Sequence, residues 1–157
     1  MSRRVVITGI GMISPLGVGT EQNWQALLAG RPGIGSITKF DATNFATRIA
    51  GEVKDFDPTT WMTGRDARSM DVFIQFAVAA GAMAVEDSGL KIEGEFAERV
   101  GVFVGAGLGG ITTIERTHDT LNEKGPRHGV SPFFVPGIII NLAPGQISIR
   151  HGAKGPN

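Results

Sequence analysis

The chain contains no cysteine, which excludes a disulfide, a thiolate metal site and a cysteine nucleophile built from its own side chains. It also lacks any imbalance of charge, with 15 Lys and Arg against 15 Asp and Glu over 157 residues. No long-range field therefore gathers nucleic acid or an anionic membrane, and a partner must be held by local patches or by shape. Long apolar runs are missing too. The longest, Val72 to Val85, contains Gln75 and is too short to span a bilayer, so it reads as a core helix. The opening MSRRVVITGIGMISPLG places Arg3 and Arg4 before apolar residues in the manner of an export signal. Its glycines interrupt the stretch and no small-residue cleavage site follows, so a first strand in a cytoplasmic protein is expected. The three histidines, His118, His128 and His151, have no ligand spacing, and no metal or cofactor is expected. There is no G-x-S-x-G elbow. The carboxylate pairs Asp55/Asp57 and Glu86/Asp87 lie in a turn and at a helix end, where acids are ordinary, and no catalytic residue is assigned.

With 41% hydrophobic and 19% charged residues the chain is globular in composition. Val5 to Thr8 and Val100 to Val104 are β-branched, non-alternating runs, the pattern of strands covered on both faces, and each ends in a glycine turn. Thr20 caps an expected helix whose Trp24, Leu27 and Leu28 share a face, with Gly30 and Pro32 at its end. Residues 31 to 60 read as an irregular excursion with one short strand near Ala50 to Val53. Asp66 is expected to open a helix to about Asp87, apolar around its circumference from Val72 onward. A further helix carries Ile111, Ile114 and Leu121 as one stripe up to Gly125. Pro132 and Pro136 break regularity around Phe133 and Phe134. Asn141 to His151 fits a last helix with Pro144 in its first turn and Gly152 past its end. These elements predict an α/β layer fold. Two strands and two amphipathic helices cannot surround an all-round apolar helix, so the chain reads as part of a domain.

GVFVGAGLGG, residues 101 to 110, offers Gly105, Gly107 and Gly110 in G-x-G-x-x-G spacing after an apolar run. A dinucleotide site also needs a second parallel strand ending in an acid, and none follows. Two other readings stand beside that one: glycines that let backbones approach closely, or a loop that meets an extended ligand with Leu108 alone projecting. The basic residues Arg65 and Arg68 at one helix start, and Lys124, Arg127 and His128 after another helix, read either as solvated charge or as a grip for an acidic or phosphate-bearing partner. The Phe133-Phe134 loop reads as core, as a plug for a neighbouring subunit, or as the wall of an apolar tunnel.

In these stretches the chain resembles the amino-terminal part of a β-ketoacyl-acyl carrier protein synthase, of the type II condensing enzymes of bacterial fatty acid synthesis. The resemblance is carried by RRVVITGIGMISPLG, FDATNFATRIAGEVKDFDP, RSMDVFIQFAVAAGAMAVEDSGL, VGVFVGAGLGG and PRHGVSPFFVPGIIIN running to GAKGP, nearly all 157 residues in family order. It implies a thiolase-like layered α/β fold, of which residues 1–157 are an incomplete N-terminal portion ending just before the strand with the catalytic cysteine. It further implies a homodimer, the remainder of the same enzyme as a partner that brings the cysteine and histidines, and acyl carrier protein as the substrate carrier. The implied reaction is decarboxylative condensation of an acyl thioester with malonyl-acyl carrier protein. The alternative is a catalytically silent subunit that sets chain length for an active partner.

Residue by residue, the resemblance places Leu108 at the gate of the acyl pocket, beside Gly107. It has Phe134, next to Phe133, reaching into the pocket of the other subunit. Arg65, Arg68 and Arg127 match the basic residues that receive the carrier protein. Ser69 and His128 depart from that pattern, standing where further basic residues are usual.

Overall fold

A computed structural model describes residues 3–157. Its elements follow from local signals in most of the chain. The first is a tight hairpin, β1 (Ile13–Ser14) against β2 (Gly17–Val18), which runs into α1 (Thr20–Leu28). Asn23 ties the hairpin to the helix: its amide donates to the carbonyls of Gly17 (2.9 Å) and Gly19 (2.8 Å), and its oxygen takes the Ser14 hydroxyl. That full satisfaction explains why an asparagine is buried here. The buried face of α1 is Asn23 and Ala26, whereas Trp24, Leu27 and Leu28, the face expected to cover a sheet, are exposed. Thr20 does not cap the helix; Gly19 holds that position and the Thr20 hydroxyl donates to Ile10 O.

A second hairpin pairs β3 (Ile34–Ser36) with β4 (Ile49–Gly51). The latter is the short strand expected near Ala50. Its partner lies in the excursion that the sequence left irregular.

The helix expected from Asp66 to Asp87 is two helices. Thr63 caps α2 (Gly64–Ser69) by accepting from Asp66 N at 3.1 Å, and Asp71 caps α3 (Val72–Ser88) by accepting from Phe73 N at 3.3 Å. Met70 between them is extended, with φ −123° and ψ 135°. The physical reason is Asp71, whose side chain competes for the backbone within a helix and favours a cap instead. Gly89, at φ 64°, closes α3 in the left-handed conformation.

Helix α4 (Ile111–Lys124) follows the expected stripe and stops at Gly125. Two short helices come next, α5 (Pro126–Gly129) and α6 (Phe134–Ile138). The second corrects the expectation that the prolines keep this stretch irregular: Pro136 sits early enough in a single short turn that its missing N–H removes no hydrogen bond. Helix α7 (Leu142–His151) carries Pro144 in its first turn and ends at Gly152, as read from the sequence.

The core lies where α3 crosses α7. Met62, Ile74, Val78, Ala143 and Ile147 are buried together, with Phe73, Val102 and Val104 packed around them. Each fully buried Ile or Val there contributes about 1.5–3 kcal/mol. Two close approaches fix α3. A Cβ on Gly81 would meet Ile147 at 3.1 Å, and a Cβ on Gly11 would run into the carbonyl of Ala80. The glycines after the first apolar run thus serve close backbone packing.

The two expected strands have no ladder of their own among the described residues. Val5 (90% exposed) and Ile7 (84%) lie open, as does Phe103 (81%). The segment 100–102 does run beside 155–156, with Val102 N donating to Pro156 O at 2.9 Å and Gly155 N to Val100 O at 3.0 Å. β-branched residues favour an extended backbone, but a strand exists only when a neighbour takes its backbone groups.

Candidate functional site

The loop after Val104 leads into α4 and is pinned from below by α6. Gly110 N donates to Ile138 O at 3.0 Å, and a Cβ on Gly110 would stand 2.8 Å from Ile138 Cα. Gly109 has φ 72°, which a side chain rarely adopts. On the other side the loop is open: a Cβ on Gly105 or Gly107 would meet nothing within 4 Å. Leu108 projects from this loop and is 76% exposed.

Leu108 stands at a cleft of about 830 Å³. The other walls are Val102, Phe103 and Val104 from the extended segment, Ile114 from α4, and Ile138, Ile139 and Ile140 at the end of α6, with Pro144 from α7. Among the described residues, Asn141 and Asn157 supply the only polar side chains of the lining. An apolar groove of this volume with few polar groups suits a flexible hydrocarbon chain. No pattern in the sequence marked the three consecutive isoleucines as a wall of this cleft. Phe103 was read only as strand.

The amino end of α4 is already engaged by an acid from the protein itself. Thr113 N donates to Asp71 Oδ2 at 3.0 Å, and the Thr113 hydroxyl donates to the same oxygen at 2.6 Å. A buried carboxylate thus already sits on the positive end of the helix. After α4 the chain enters α5 and α6, and no strand follows among the described residues. The arrangement therefore gives the dinucleotide reading no support: the helix end is engaged and the required strand is absent among the described residues.

Phe134 and Phe133 lie apart from the Leu108 cleft in the single chain. Phe134 opens α6 half-buried, with its N–H donating to Ser131 O at 2.9 Å, and Phe133 is exposed. Both line a small depression with Arg68, Ser69, Thr113 and Arg116. Gly107 is exposed and also outside the cleft lining. Arg65 and Arg68 are exposed on α2, and Arg127 is exposed on α5, the short helix that packs on α4. Among the described residues none of the three is ion-paired.

Two titratable groups on α2 and α7 depart from their ordinary ranges. Arg150 on α7 donates to Asp66 Oδ2 on α2 at 3.0 Å, and that hydrogen bond holds the Asp66 carboxyl below its ordinary range. Burial lowers the pKa of His151, with the neighbouring Arg150 charge adding to the effect. His151 lines a second apolar hollow of about 520 Å³ between α3, the segment 100–105 and α7.

Comparison with known proteins places this element order among the thiolase-like ketosynthases. A family model described as "Beta-ketoacyl synthase, N-terminal domain" matches residues 2–157, and the chain belongs to that family. It is 57% identical over 155 residues to a 3-oxoacyl-[acyl-carrier-protein] synthase 2 of Vibrio harveyi, and 53% identical to one of Coxiella burnetii. Each match covers 99% of this chain and 37% of the relative, so the chain spans little more than a third of the length of these curated relatives. Among solved structures, the ishigamide ketosynthase/chain length factor superposes with TM-score 0.78 at 32% identity, covering 98% of this chain and 38% of that one. A ketosynthase solved in complex with its type II polyketide acyl-carrier protein superposes with TM-score 0.77 at 25% identity, over 98% of this chain and 40% of that one. The layered fold expected from the resemblance is shown by these neighbours.

No helix among the described residues is long and apolar enough to cross a membrane.

Proposed function

We propose that this chain is the N-terminal part of a 3-oxoacyl-acyl carrier protein synthase, a cytoplasmic homodimeric acyltransferase of fatty acid synthesis. In the reaction, the acyl group moves from the carrier thiol to an enzyme cysteine, forming a new thioester and freeing the carrier. Malonyl-acyl carrier protein then loses carbon dioxide, and the electron pair of the broken C–C bond becomes an enolate. The enolate carbon attacks the acyl thioester carbonyl and expels the enzyme thiolate, leaving a 3-oxoacyl chain two carbons longer on the carrier. No residue of these 157 is the nucleophile, since none is cysteine. The cysteine and the assisting histidines belong, in this reading, to the remainder of the same enzyme. Phe133 and Phe134 complete the acyl pocket of the second subunit.

The observation that carries the reading is the apolar cleft of about 830 Å³ with Leu108 projecting at its edge and Ile138 to Ile140 as its wall. It supports a binding role for the growing acyl chain. The exposed arginines Arg65, Arg68 and Arg127 support reception of the acidic carrier on the same chain, since local patches are the only electrostatic means a neutral polypeptide has. The chain-length-setting alternative draws on a neighbour at 32% identity, whereas the relatives at 53% and 57% bear the synthase name. The deciding experiment is condensation by the full-length purified protein, supplied with acyl-acyl carrier proteins of graded length and malonyl-acyl carrier protein. Release of carbon dioxide with formation of the 3-oxo product is expected. Absence of product from every acyl length refutes the proposal, and activity only on adding a second ketosynthase subunit favours the silent partner.

A further inference from the structure

Arg116 belongs to no motif of the sequence, yet the fold sets it opposite Arg68. Asp71 draws α4 onto the α2–α3 joint through the two Thr113 hydrogen bonds. Between the two elements lies a groove of about 270 Å³ lined by Arg68 from the α2 side and Arg116 from the α4 side; a smaller depression beside it, shared with Phe133 and Phe134, faces the second subunit in the reading above and is no part of the groove. We propose that Arg68 and Arg116 form a two-guanidinium clamp for a carboxylate side chain of the acidic carrier protein. This rests on the docking reading above and adds to it a residue and a point of contact.

Three observations carry it. First, neither guanidinium is ion-paired among the described residues, whereas Arg150 on the far side of α2 is. Second, among the described residues the one carboxylate in the groove lining is Asp71, which is 6% exposed and engaged at both oxygens: Phe73 N donates to one oxygen, and the Thr113 N–H and hydroxyl donate to the other. It is therefore not available to bridge the arginines. Third, the remaining polar lining is neutral, with Thr112 at the rim and Gln75, whose amide already donates to Ala67 O and Met70 O. Two forked cations that border one depression and carry no ion pair can supply donors to the paired oxygens of a carboxylate.

The test uses the full-length protein and purified acyl carrier protein. Both arginines are exposed, so their substitution leaves the fold intact. Arg116→Glu is expected to raise KM for carrier-borne acyl substrates about five- to tenfold and Arg116→Gln about two- to threefold, with kcat unchanged. A carrier-free acyl thioester is expected to react with wild-type efficiency. Rising salt should erase the difference between wild type and variant. Restoration of affinity to Arg116→Glu by a single acid-to-lysine change on the carrier would support the clamp. An unchanged carrier KM in Arg116→Glu, or an equal rise for the carrier-free thioester, overturns it. Should the protein condense no thioester at all, the proposed function fails by itself. Direct titration of the carrier against wild type and Arg116→Glu then still decides the clamp, equal affinities refuting it.

Discussion

Truncating Leu108 to alanine separates a binding role from a structural one. With 76% of the residue exposed, only about a quarter of the roughly 1.5–3 kcal/mol available from full burial of a leucine is at stake. This chain's contribution to folding should fall by about 0.5 kcal/mol, which displaces Tm by no more than a degree or two. The effect on substrate is larger if an acyl chain fills the cleft, because each methylene-sized mismatch in an apolar pocket changes transition-state binding by about 1–3 kcal/mol. Leu108→Ala should therefore change kcat/KM by about tenfold or more for at least some acyl lengths, and Leu108→Phe should penalise long chains most. The assay is condensation by the full-length protein across acyl-acyl carrier proteins of graded length, beside thermal unfolding of the same preparations. A flat profile across chain length with unaltered Tm would refute the assignment of Leu108 to the acyl path. A large fall in Tm would instead show that the loop is structural.

Other consequences concern stability. Asp71→Ala should destabilise the full-length protein by about 2–4 kcal/mol in denaturant titration, since it strands the N–H groups of Phe73 and Thr113 and uncaps α3. Gly11→Ala should cost about 2 kcal/mol or more, because the new methyl meets the Ala80 carbonyl and the helix must shift. The pH dependence follows from Asp66, whose folded pKa is depressed. Its pairing with Arg150 stabilises the fold above the ordinary aspartate range and is lost as pH falls through the folded value. Both side chains are partly exposed, so Asp66→Asn should cost only about 0.5–1 kcal/mol at neutral pH and nothing in strong acid, read by urea titration at several pH values.

Helices α4 and α7 were legible because each has a local signature: an apolar stripe or an early proline, then a glycine stop at Gly125 or Gly152. The α2–α3 break is written in the caps Thr63 and Asp71, but the long apolar run of α3 masks that local signal. The strands were the opposite case. Val5 to Thr8 and Val100 to Val104 have strand composition, yet pairing depends on residues far away in the chain, which no local pattern reveals. At the candidate site, Leu108 stood out as the one large side chain in a glycine loop. Ile138 to Ile140 became a wall only through α6, a helix the prolines concealed. Arg116 gave no signal, because a charged residue on an amphipathic helix looks like any solvated one until the opposite bank is known.

Consecutive residues of α3 seat two different neighbours, the carbonyl of Ala80 against Gly11 and Gly81 against Ile147. The separation of those neighbours is therefore dictated by bonded helical geometry and owes little to side-chain bulk. Such a frame keeps its dimensions while the lining beside it is remodelled. Exchanging Leu108 or Ile138 to Ile140 for larger or smaller residues would therefore reshape the cleft without moving the helices that carry it.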